Sequence, residues 1–267
     1  MPYAQIEGLK IYYIVKGDGP ETLLLVHGNV SSTEYWDKFL NILPSQYRAV
    51  ALDLRGCGLT EHPPDGYNIP QFVEDVNQFA SQLKLTRFHL LGHSMGGMTS
   101  MLFTLKHLEK VQTLALLDSV PANGLFLNEE VRSYFRVIME DRAALRQIME
   151  QMVVPFGEGP SFVERATEIA FACAPQTFTE NPESMHQTNF ISELSQITAP
   201  TLIIHGKDDA VIPLEFMVPT MKAIVDAQVI IFTRCGHSPQ VEYPKQFAET
   251  YLGFIAKYKM VKKITPV

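Results

Sequence analysis

Residues 22–26 read TLLLV, 48–52 RAVAL, 88–91 FHLL, 111–117 VQTLALL and 201–204 TLII. Each run is too short for a buried helix and lacks the polar–apolar alternation of a half-exposed strand. Strands of this kind must be covered on both faces, the condition of a parallel sheet between layers of helices. Segments 10–15 and 228–232 read as strands of the same series. Helical patterns separate them at 34–43, 69–83, 95–107, 214–225 and 244–258. The second has start chemistry: Asn68 as cap, Pro70 in the first turn and Gln71 at the capping-box position. Strands alternating with helices imply right-handed crossovers and an α/β fold.

The alternation stops between 121 and 200, where no convincing strand appears. Helices are expected at 128–140, 141–152, 160–172 and 182–192, separated by the Pro- and Gly-rich breaks VVPFGEGPS and CAPQTFTENPE. The expected organisation is one core made of 1–120 and 196–267, with a helical cap at 121–195. Ligands of open α/β sheets bind beyond the carboxyl ends of the strands, so such a cap is placed to act as a lid.

Lys and Arg number 22 against 29 Asp and Glu, a net charge of −7. That balance argues against a nucleic-acid partner. The basic tail at 257–263 reads as a solvated end. Cys57, Cys173 and Cys235 are too sparse for a disulfide framework or a zinc signature. The N-terminus lacks the pattern of a secretory signal, and no apolar run approaches the roughly 18 residues of a membrane span. A cytoplasmic protein without a membrane span is expected, and a homo-oligomer is compatible with the sequence.

The segment FHLLGHSMGGMTSMLFTLKH, 88–107, carries the chemistry. Gly92-His93-Ser94-Met95-Gly96 is a G-x-S-x-G pentapeptide directly after a strand and opening a helix. A sharp strand-to-helix turn crowds the residues around the serine, and glycines at 92 and 96 remove the side chains that would collide. The Ser94 hydroxyl then stands above the sheet as a nucleophile.

A neutral hydroxyl needs a base and an orienter for that base. His237, in a loop after the last strand, is the expected base. Asp209 in LIIHGKDDAVIP is the favoured acid, with Asp208 and Asp118 as alternatives. The order Ser, Asp, His is that of the hydrolase template. The oxyanion hole is assigned to the backbone N–H groups of Met95 and Asn29, with Val30 as a neighbouring candidate for the second donor, and His27 is expected to brace that loop. There is no zinc ligand set and no G-x-G-x-x-G fingerprint, so no metal or organic cofactor is expected.

With these motifs in order, the chain resembles α/β-hydrolase-fold enzymes of the lidded esterase, lactonase and haloperoxidase-like group. The resemblance rests on His27-Gly28, on Asp53-x-Arg55-Gly56-x-Gly58-x-Thr60 and on the elbow. It also rests on Gly206-x-x-Asp209-x-x-x-Pro213 and on Gly236-His237 with Glu242 and Pro244. It implies an eight-stranded, mostly parallel sheet with a helical cap between strands six and seven. Haloalkane dehalogenases and epoxide hydrolases of this fold are excluded by serine at position 94, where they carry aspartate. Asn29 is expected in the oxyanion loop, its side chain reaching the acyl group. The cap contributes Phe126, Phe135, Met139, Met149, Met152, Phe156, Phe162, Phe171, Phe178 and Met185, most of them expected in its own core, with an apolar slot beneath it that suits an acyl chain. The expected activity is serine-esterase cleavage of carboxylic esters of small, mainly hydrophobic acyl groups. A lactonase, a carbon–carbon bond hydrolase of a ring-cleavage diketone and a ligand-binding receptor are the alternatives, and the partner is a small-molecule ester or lactone.

Overall fold

Eight strands join in one sheet of order β1-β2-β4-β3-β5-β6-β7-β8. They are β1 (Tyr3–Ile6), β2 (Leu9–Lys16), β3 (Glu21–Val26), β4 (Tyr47–Leu52), β5 (Phe88–His93), β6 (Val111–Leu117), β7 (Thr201–Gly206) and β8 (Ala227–Phe232). The computed structural model describes residues 2–264, with side chains through 258. β1 and β2 run antiparallel, β2 joins β4 antiparallel, and every later pairing is parallel. β1 is the strand that local pattern misses. It has four residues with only Ala4 and Ile6 buried, and its partner is the adjacent β2 hairpin.

The pleat sends alternate residues of the inner strands to opposite layers. Leu24, Leu90, Leu116 and Ile203 pack with Phe72, Phe79, Met98 and Phe103 on one face. Leu23, Leu25, Leu91 and Ile204 pack with Phe39, Phe247 and Tyr251 on the other. The first layer holds α2 (Ile69–Gln82), α3 (Met95–Lys106) and α8 (Leu214–Ala223); the second holds α1 (Asp37–Leu40) and α9 (Pro244–Ile264). Two elements depart from the 34–43 and 69–83 expectations in detail. The first becomes a 3-10 turn, Thr33–Trp36, followed by one turn of α-helix. In the second, Asn68 accepts the Gln71 N–H at 2.9 Å, but the Gln71 side chain bonds Asp75 and so completes no capping box.

All helices of the long insertion lie between β6 and β7. They are α4 (Glu129–Glu140), α5 (Arg142–Ile148), α6 (Val163–Phe171) and α7 (Gln176–Gln187), with a π-helical turn at Met149–Val153 and 3-10 turns at Gly159–Phe162 and Ile191–Gln196. The fourth expected helix, 182–192, is misplaced: α7 begins six residues earlier and keeps Pro182 in its interior. A proline there forfeits one backbone bond, a cost of about 3 kcal/mol. Burial of Phe178, Asn181, Pro182 and Met185 on one helical stripe offsets it. Among the described residues no helix is long and apolar enough to cross a membrane. The side chains of the basic tail from 259 onward lie outside the described residues.

Candidate active site

Ser94 sits between β5 and α3 with φ 52° and ψ −120°. Non-glycine residues adopt such a conformation only where the surroundings impose it. Here they do so by close approach. A Cβ on Gly92 would collide with the Gly96 carbonyl, and one on Gly96 with the carbonyls of Val26 and His27. The elbow therefore brings α3 down on the end of β3 and leaves Ser94 at the floor of a cavity of about 380 Å³. Gly28, Asn29, Ser94 and His237 share that cavity with Phe126, Phe135, Met149, Met152, Met185 and Phe216. Among the described residues no lysine or arginine lines it. Of the other apolar groups of the insertion, Met139, Phe162 and Phe178 pack in its core, and Phe171 is exposed.

The loop after β7 supplies Asp209. Its Oδ2 accepts the His237 Nδ1–H at 2.7 Å, and its Oδ1 accepts the N–H groups of Val211 and Ile212 at 2.8 and 3.0 Å. Burial pushes this carboxyl up, but His237 and the Ile212 N–H together hold it below the usual aspartate range. With Nδ1 committed to Asp209, a neutral His237 carries its lone pair on Nε2. The histidine loop is itself clamped by a buried carboxylate, since Glu242 accepts the Gly236 and Ser238 N–H groups, both at 2.9 Å.

The two alternative acids sit differently. Asp208 is exposed, and its backbone N–H bonds the Cys235 carbonyl. Asp118, fully buried at the end of β6, accepts the Gly206 N–H at 2.7 Å and lies behind Asp209. Asp118, His205 and Asp209 bring one ligand atom each within 4.8 Å of one another. Donors from Gly206, Val211, Ile212 and His237 already occupy both Asp209 oxygens and Asp118 Oδ1 of that group.

On the oxyanion side, Met95 opens α3, so its N–H belongs to the first turn that has no intrahelical acceptor. Asn29 lies in the loop after β3, next to Val30 with φ 45°. The Asn29 side chain does not reach toward an acyl group as expected. Its Nδ2 donates to the Thr177 carbonyl at 2.9 Å, and its Oδ1 accepts from Asn181 Nδ2 at 2.7 Å. Both partners are on α7. His27 braces the loop from below: Nδ1–H donates to the Gly28 carbonyl at 2.7 Å, and Nε2 accepts the Leu54 N–H at 2.8 Å. Burial lowers its pKa to about 4.

Three contributors had no local signal. Asn181 meets Asn29 across 152 positions of sequence. His93, next to Ser94, points away from solvent and donates from Nε2 to the His237 carbonyl at 2.6 Å. Gly56 accepts the Ala174 N–H at 2.8 Å, tying the insertion to the turn after β4. That turn is rigid because Asp53 accepts the Thr33 and Leu59 N–H groups and Arg55 forms a two-pronged pair with Asp75.

A serine elbow, a histidine–carboxylate pair and a cavity over the strand ends are the parts of a hydrolase. The profile described as "Alpha/beta hydrolase family" matches residues 23–250. The chain belongs to that family. Among curated relatives of this family member is the 2-hydroxy-6-oxo-6-(2'-aminophenyl)hexa-2,4-dienoic acid hydrolase of Metapseudomonas resinovorans. It is 26% identical over 266 residues, covering 94% of this chain and 89% of that one. The 2-hydroxy-6-oxo-2,4-heptadienoate hydrolase of Pseudomonas putida is 27% identical over 250 residues, with 88% of each chain covered. Among solved structures, the bromoperoxidase of Bacillus anthracis superposes with a TM-score of 0.85 at 26% identity, covering 96% of this chain and 99% of that chain. This alpha/beta hydrolase is a hydrolytic enzyme whose relatives lean toward ring-cleavage hydrolases more than toward simple carboxylic esterases.

Proposed function

We propose that this chain is a serine hydrolase that opens a bond at a carbonyl carbon, and that this bond is the carbon–carbon bond of a ring-cleavage diketone. The observation that carries the chemistry is the 2.7 Å bond from His237 to Asp209 in the wall of the cavity that Ser94 also lines. Kinship supports the choice of bond, because the curated relatives named above act on 2-hydroxy-6-oxo dienoic acids.

In the diketo tautomer, where the carbon next to the ketone is saturated, Ser94 Oγ attacks the ketone carbon as His237 takes its proton. The N–H groups of Met95 and Asn29 stabilise the tetrahedral oxyanion, a contribution of about 3 kcal/mol per donor. Collapse releases the conjugated fragment as its enolate, and the His237 imidazolium returns the proton to it. Water activated by the same histidine then frees the carboxylic acid from the acyl-enzyme. Asp209 keeps the imidazole in the tautomer this needs. Residues 121–195 act as a lid that keeps bulk water from the acyl-enzyme until the first product leaves.

One observation favours a second reading, the ester of a small, mainly hydrophobic acid. The cavity wall is apolar and, among the described residues, holds no lysine or arginine to pair with the carboxylate of a dienoic acid. An ester or lactone with an uncharged acyl part needs no such partner, and the same steps apply with an alkoxide as the leaving group. A panel of p-nitrophenyl esters of increasing acyl length, lactones and a 2-hydroxy-6-oxo dienoate tests both. Turnover of the dienoate above the esters is expected; ester turnover with an inert dienoate replaces the first reading by the second.

A further inference from the structure

A second buried carboxyl, Asp118, stands behind Asp209, and the mechanism above makes no use of it. It closes β6 with φ 40°, a left-handed conformation that places its side chain under the β7 loop. Asp118 Oδ1 accepts the Gly206 N–H at 2.7 Å and lies 3.5 Å from His205 Nδ1. Its Oδ2 is buried without a donor. One oxygen of the Asp118 carboxyl and one of the Asp209 carboxyl lie within 4.8 Å of each other in this buried spot. Two ionised carboxylates so placed repel each other, which favours one proton held by the pair.

The surrounding donors decide which residue holds it. Asp209 accepts three N–H groups, from Val211, Ile212 and His237, and every one favours its charged form. Asp118 accepts one. The charged neighbours acting on Asp118 are the carboxylates of Asp209 and Glu242, which disfavour a further negative charge. His205 offers no compensation: its Nε2–H is spent on the Ile212 carbonyl at 2.9 Å, and burial favours its neutral form.

We propose that Asp118 is a neutral carboxylic acid whose O–H donates to the Asp209 carboxylate, making it a positioning residue for the Asp209–His237 pair. The role in turnover rests on the serine-hydrolase reading of the site; the protonation state does not. The donated proton holds the Asp209 carboxyl plane in place while adding no second negative charge beside the imidazole. The charge balance of the acid–base pair therefore stays at one carboxylate to one imidazole.

The test uses carboxyl-labelled aspartate in the full chain, followed by carbon NMR. Near pH 7 the wild type is expected to show a protonated aspartate resonance that is lost in Asp118→Asn. A wild-type spectrum with no protonated aspartate overturns the proposal without any variant. In kinetics, Asp118→Ala is expected to lower kcat by about ten- to a hundredfold with KM little changed, through loss of alignment. Asp118→Asn, whose amide N–H can still donate to Asp209, is expected to recover part of that loss. The acid limb of its kcat/KM profile is expected to stay where it was. A limb shifted down by about one unit means that Asp118 was ionised, and overturns the proposal. Persistent turnover in Ser94→Ala sinks the functional reading alone and leaves the resonance to decide Asp118.

Discussion

The His93 ring and the His237 main chain are joined by a 2.6 Å hydrogen bond from Nε2 to the carbonyl oxygen. The residue that precedes the proposed nucleophile thus holds the backbone of the proposed base. Because a carbonyl can only accept, His93 must carry its proton on Nε2. Burial lowers its pKa to about 3, so the donor persists through the neutral range. Replacing it (His93→Leu) leaves the His237 carbonyl buried without its donor. A stability loss of about 1–3 kcal/mol is expected in denaturant unfolding. A fall in kcat of about tenfold or more should accompany it as the imidazole loses its fixed position. Unchanged kcat in a folded His93→Leu protein would show that the bond positions nothing.

Ser94→Ala should reduce turnover by at least about 10⁴-fold, since nucleophile and base act as a unit. The fold should be intact, because alanine fits a site where the constraint comes from Gly92, Gly96 and the surrounding carbonyls. Circular dichroism and a burst-phase assay separate the two effects. A residual burst of acylation in the variant would remove Ser94 from its assigned role.

How legible these features were follows the range of the interactions behind them. The elbow and the Asn68 cap are made by residues within a few positions of one another, and both stood out in the sequence. The β7 and β8 loops could be read as far as Asp209 and His237, because apolar strands fix where each loop begins. The Asn29 partnership could not be read, since Asn181 lies on a helix that begins six residues before the expected one. Pro182 resembles a first-turn proline, and only the buried stripe from Phe178 to Met185 shows why α7 tolerates it inside. β1 gave too little signal alone and exists because β2 is beside it.

Asn181 is the fully buried link between the insertion and the proposed oxyanion loop. Asn181→Leu breaks the 2.7 Å bond to Asn29 Oδ1 and leaves that oxygen facing an aliphatic group. The Asn29 N–H then loses its fixed direction, and kcat should fall by about ten- to a hundredfold, with KM changing less. Steady-state kinetics check this split. An equal rise in KM with kcat intact would mean that the bond serves the cavity's shape and not the oxyanion.

The final expectation concerns acid stability and comes from His27. Its folded-state pKa is lowered from 6.5 to about 4, with burial the leading cause. In the unfolded chain the same ring takes up a proton below about 6.5. The unfolded state therefore binds more protons between these values, and stability rises with pH across that window. The His27 contribution is complete above 6.5 and is lost as pH falls toward 4, by up to about 3 kcal/mol. Other buried groups, including Asp118 and Glu242, titrate with the opposite sign, so the wild-type curve alone does not isolate it. The difference curve does. Comparing wild type with His27→Gln by urea unfolding from pH 8 down to 4, the gap between the two should narrow on acidification. A gap that is flat or widens toward low pH would mean that His27 is already charged in the fold, at odds with its Nε2 accepting the Leu54 N–H.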